Sequence, residues 1–136
     1  MSYDIFVQDL PEGAKTLEDI PDDLRPAFLG KRSEIIERII EVVPGADFRD
    51  PAWGQIDGDG WSIEVSMRAS EECQGFAFHV HGGSAALDVV ATILQHLRLR
   101  ALDPQADSGF FGPTESKADF ARWSTYRDQV TNKNQS

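Results

Sequence analysis

Cysteine is nearly absent: Cys73 is the only one in 136 residues. A single thiol excludes a disulfide framework, a thiolate zinc cluster and a CxxC redox pair. A reducing cytoplasm is therefore the expected setting. No window holds the roughly 18 apolar residues in a row that a membrane span needs. The opening MSYDIFVQDLPEG has neither a basic start nor a long apolar stretch, so no secretory signal is expected. Positive charge is scarce too, with 13 Lys and Arg against 23 Asp and Glu, a net charge of −10. A field of that sign repels phosphate backbones and anionic membranes, which argues against nucleic-acid and membrane binding and favours a basic partner. It also keeps a protein soluble, and by itself names no partner. There is no GxSxG elbow, no HExxH and no GxGxxG loop. No cofactor is called for.

What is present reads as one domain over residues 1–130, large enough for a proper core, with 131–136 as a frayed tail. Tyr3 to Leu10 alternates as a strand. Residues 11–32, with three prolines and two glycines, form a long irregular connection with at most a helical turn at Thr16–Ile20. Connections of that length are often functional or partner-facing. Ser33 is placed to cap a helix carrying Ile35, Ile36, Ile39, Ile40 and Val43 on one stripe, with Glu34 and Arg38 paired outside. Pro44 and Gly45 stop it. Strands follow at 53–57, 61–67 and 75–81, then a helix from Ser84 to about Leu97, a strand at Leu99–Asp103 and a last helix from Glu115 to about Val130. The implied fold is an α+β two-layer sandwich, a mostly antiparallel sheet with helices on one face. Its order, β-α-β-β-β-α-β-α, is that of a ferredoxin-like variant.

The stretch FAFHVHGGSAALDVV poses the functional question. Along the strand Phe76, Phe78 and Val80 share one face, and Ala77, His79 and His81 the other. The following helix has a broad apolar stripe of Ala86, Leu87, Val90, Ala91, Leu94 and Leu97, whose natural partner is the phenylalanine face. His79 and His81 then look away from it, and His96, on the polar stripe with Asp88, Thr92 and Gln95, does not join them. Pairing Trp61, Ile63, Val65 and Met67 with the phenylalanine face fixes the register by parity. In one register Glu64 lies opposite His79 and Ser62 opposite His81; in the other Glu64 meets Ala77. Either way Glu64, His79 and His81 share a surface with Asp4 or Gln8. A carboxylate beside His-x-His is the chemistry of a divalent-metal site or an acid/base pair, and equally of ordinary cross-strand pairs on a polar sheet face.

Gly82, Gly83 and Ser84 open a helix whose free N–H groups suit an anion, or simply make a tight turn capped by Ser84. Asp57-Gly58-Asp59-Gly60 looks like a calcium loop but lacks its later ligands, so a hairpin turn is expected. Cys73 beside Glu71 and Glu72 is a poor nucleophile. Phe110 and Phe111 in a Gly-rich loop are either partner anchors or plugs for the sheet edge. Trp53, Phe120, Trp123 and Tyr126 complete the aromatic set, the helical ones packing inward.

The stretches YDIFVQDLP, WGQIDGDGWSIEV, FAFHVHGG and RALDPQADSGFF resemble a family of short uncharacterised bacterial proteins, over residues 3 to about 112. That resemblance implies no activity and transfers no functional residues. In general character the chain also looks like bacterial immunity proteins, small acidic domains that neutralise toxins by binding them. The reading favoured is a non-catalytic domain acting through protein–protein contact, an immunity-like inhibitor being one version. The alternative is a small metal-binding or acid/base enzyme using Glu64, His79 and His81. A third arrangement would bury that face under the last helix or in a homodimer.

Overall fold

Alternation decides the main sheet. In β1 (Tyr3–Gln8) Tyr3, Ile5 and Val7 are buried, whereas Asp4, Phe6 and Gln8 are not. The same period of two runs through β4 (Trp61–Ser66) and β6 (Gly75–Gly82), burying Ile63 and Val65 on one and Phe76, Phe78 and Val80 on the other. Each large apolar side chain so buried contributes about 1.5–3 kcal/mol, which is what pins the register. This computed structural model describes residues 2–11, 13–23, 27–106 and 108–112. The helix expected at Glu115–Val130, the tail at 131–136 and the aromatics Phe120, Trp123 and Tyr126 lie outside the described residues.

Five strands make a fully antiparallel sheet in the order β3-β4-β6-β1-β7, with β3 spanning Trp53–Gly58 and β7 Ala101–Leu102. Helices α1 (Arg32–Val42) and α2 (Ala85–Leu97) pack on its apolar side. Ile35, Ile36 and Ile39 of the first and Leu87, Val90, Ile93 and Leu94 of the second join the strand residues in one core. The two helices are also tied directly: Arg38 Nη2 donates to the His96 carbonyl at 2.6 Å, and His96 Nε2 meets Glu41 Oε2 at 2.7 Å. The result is an α+β molecule with helices on one face of an antiparallel sheet.

Several details differ from the expected order. Two further strands, β2 (Gly30–Lys31) and β5 (Glu72–Cys73), pair with each other as a separate ribbon, so the 11–32 connection is not wholly irregular. That ribbon takes the element order beyond the ferredoxin-like β-α-β-β-β-α-β-α, whereas the strand expected at 53–57 is present as the edge strand β3. Ser33 lies inside α1 rather than capping it. Glu71, beside the ribbon, accepts hydrogen bonds from the Ser33 amide and hydroxyl, so the capping carboxylate comes from 38 residues away. Ile40 is exposed, and Arg38 serves His96 instead of Glu34. The strand expected at Leu99–Asp103 shrinks to two residues. Leu99 is taken up by the helix end, its N–H bonding to Leu94 O, and Asp103 by a turn.

That turn anchors the far edge. Asp103 is fully buried and accepts from Tyr3 Oη at 2.5 Å and from the Gln105 amide at 2.9 Å. Beside it Phe110 packs with Leu10 and Ala14 under Arg100, whose guanidinium lies 4.2 Å from the ring centroid. Arg100 also donates to the Pro11 and Ala14 carbonyls, fastening the start of the long connection to the sheet.

Candidate functional site

The face of the sheet turned away from α1 and α2 carries rows of side chains set by register. Gln55, Glu64, His79 and Asp4 form one row across four strands, and Ser62 and His81 belong to the next. Glu64 thus lies opposite His79 and Ser62 opposite His81, the first of the two registers considered. The third row runs Trp53, Ser66, Ala77, Phe6 and Leu102.

Contacts within these rows differ from simple facing pairs. His79 turns to Asp4, with Nδ1 to Oδ1 at 2.7 Å, and the Ser2 hydroxyl donates to the same carboxylate. A carboxylate only accepts, so the proton is inferred to sit on Nδ1 and the lone pair on Nε2. Trp53 stacks on the imidazole with centroids 5.8 Å apart and planes at 19°. Glu64, though opposite His79, reaches diagonally towards His81, whose Nε2 stays 3.9 Å from Oε2, too far for a hydrogen bond. That nitrogen is buried and has no hydrogen-bond partner. Glu64, His79 and His81 therefore share a surface without converging. Among the described residues no three His, Cys, Asp or Glu side chains are grouped to hold a metal ion. His96 is occupied on the helical side by Glu41.

Short side chains between tall ones hollow this face. Ser66, Ala77 and Gly75 lie between β3, which bears Trp53, and β1, which bears Phe6. Strands spaced about 4.8 Å apart leave room there for a side-chain-sized object. The hollow measures about 360 Å³ and is lined by Phe6, Ser66, Arg68, Ala77, His79 and Leu102. Arg68 follows β4 in a left-handed conformation, φ 67°, and its carbonyl accepts from Arg32 Nη1 at 2.8 Å. It also borders a smaller hollow of about 190 Å³ with Phe28, Glu72 and Cys73. The Cys73 thiol is pushed up, first by burial; a backbone hydrogen bond with Gly75 and the charges of Arg68 and Arg32 pull the other way. Burial, rather than the neighbouring glutamates, keeps it a thiol.

The other sequence candidates sit elsewhere. Gly82 has φ 90°, and a Cβ there would lie 2.4 Å from Gly60 O and 2.8 Å from Trp61 Cα. The glycine is required by close passage of the Asp59-Gly60 hairpin. Ser84 occupies the N-cap position of α2, as expected, but its side chain makes no capping hydrogen bond. Phe110 is turned inward at 6% exposure, and Phe111 is half-buried beside a hollow of about 610 Å³ between α2 and β7. Trp53 and Phe6, exposed at 45% and 40%, were not marked by sequence as parts of this surface. Their period-two positions place them there once the order of the strands is known.

No described helix is long and apolar enough to cross a membrane. No family model, curated protein or solved structure matches the chain.

Proposed function

We propose that the chain is a non-catalytic binding domain whose open sheet face docks a basic protein partner, an immunity-like inhibitor being one version. One observation carries the reading: an indole 45% exposed on the sheet face that neither described helix covers, with a second exposed aromatic, Phe6, on the strand next to that of its stacking partner His79. Exposed aromatics rimmed by polar groups are the usual anchors of protein contacts. Asp4, Asp57 and Glu64 surround them on the same face, and the chain as a whole carries −10. Two copies would repel each other there, whereas a cationic surface would be drawn in.

Affinity capture from cells that produce the protein, run in parallel with the wild type and Trp53→Ser, tests this. A basic partner retained by the first and lost by the second is the expected result. Equal capture by both would remove the open face from consideration.

A second reading has one observation in its favour, the 2.7 Å Asp4–His79 pair beside a hollow. An imidazole held through Nδ1 offers Nε2 as a base. Turnover of activated esters or phosphodiesters that disappears in His79→Gln would support it, and no turnover would end it.

A further inference from the structure

The 360 Å³ hollow on the open face has a polarity that the docking reading does not explain. In a chain of net charge −10 its charged wall is a cation, Arg68. Among the described residues no hydrogen bond or ion pair occupies the Arg68 guanidinium, although most residues with charge in the chain are acids. Ser66 and Gln8 line the same hollow, and no described residue bonds their side chains either. Phe6, Leu102 and the Ala77 methyl line the same hollow. His79 closes one end, held in place from outside by Asp4 and Trp53.

The geometry points to a binding site for a small carboxylate with an apolar body. The carboxylate would meet Arg68, with the Ser66 hydroxyl and the Gln8 amide as further donors, and the body would lie over Ala77 against Phe6, with Leu102 beyond it. A guanidinium presents paired N–H groups that match a carboxylate in one plane, which a lone hydroxyl or amide cannot do. The volume falls in the range of small-molecule pockets, roughly 300–1,000 Å³. A phosphate ester fits less well, because Arg68 is the one Lys or Arg among the described lining residues and no helix N-terminus reaches them.

Two other hollows among the described residues are weaker candidates. In the 610 Å³ one, Asp88 stands on the wall with Arg98 and would oppose an anion, and Arg100 is already spent on the Pro11 and Ala14 carbonyls and on the Phe110 ring. In the 190 Å³ one, Glu72 stands on the wall with Arg68 and would oppose an anion.

The test uses 3-phenylpropionate and its neutral isostere 3-phenylpropionamide, titrated into the full chain. Binding is read by calorimetry and by the Ala77 methyl and Phe6 ring resonances. Saturable binding of the acid is expected, with the amide weaker by at least about tenfold, the size of one lost charge-assisted contact. Arg68→Asn, which tolerates the left-handed backbone, should remove the preference for the acid. Ala77→Leu should fill the hollow and abolish binding of both while leaving Arg68 in place. Acid and amide binding alike, an unchanged preference in Arg68→Asn, or no saturable shift up to about 10 mM would each overturn the assignment. Because the probes carry no positive charge, failure here leaves partner capture through Trp53 unaffected, and the reverse also holds.

Discussion

Gly82 and Gly83 are adjacent and have opposite tolerances. A methyl on Gly82 would collide with the Gly60 carbonyl and force an L-residue to φ 90°, whereas one on Gly83 would meet nothing nearer than the same oxygen at 3.8 Å. Gly82→Ala should therefore cost about 2–4 kcal/mol, and Gly83→Ala no more than about 0.5 kcal/mol, in denaturant unfolding. Equal costs would show that the hairpin passage is not the cause. At this scale the sequence was only half legible. The pair read as a candidate anion turn because glycines before a helix suit one, and the atom that actually requires Gly82 belongs to a residue 22 positions earlier, invisible to local spacing. The faces of individual strands were legible, because parity alone separates His79 and His81 from Phe78 and Val80. Which carboxylate each histidine would meet was not, since side chains lean along diagonals that register does not specify.

At the scale of elements, α1 owes its start to Glu71. The Ser33 hydroxyl, then the Ser33 amide, hold this carboxyl below the ordinary carboxylate range, against an opposing effect of burial and with still smaller pulls from Arg32 and Lys31. The unfolded chain thus binds the proton more readily than the folded one. The stabilisation is complete above the unfolded value near 4.5 and fades as pH falls through the lower, folded one. Glu71→Gln should lower the thermal midpoint near neutral pH and make the acid-side decline shallower; an unchanged acid limb would mean that another group governs it. Helices and the longer strands were readable from their periods because burial of one stripe or face dominates their energetics. The β2–β5 ribbon was not, since two-residue strands have no period to read, and Ser33 looked like a cap because nothing local announces a carboxylate arriving from another part of the chain.

For the molecule as a whole, the net charge of −10 sets how a basic partner would arrive. If the open face docks one, raising salt from about 0.05 to about 0.5 M should slow association by about tenfold and change dissociation much less. Stopped-flow mixing measures both, and an association rate indifferent to salt would take Asp4, Asp57 and Glu64 out of the encounter. The hollow on the open face became visible only at this scale. Its walls come from β1, β4, β6 and β7, from Phe6 at one extreme of the sequence to Leu102 at the other, so no local pattern announces it.

The position of β1 has one more consequence. It lies between β6 and β7, so both its partners, Gly75–Gly82 and Ala101–Leu102, are made long after it. During synthesis it must wait with one edge bare until Gly82 and the other until Leu102 has left the ribosome, a period when chaperones have their best opportunity to hold it.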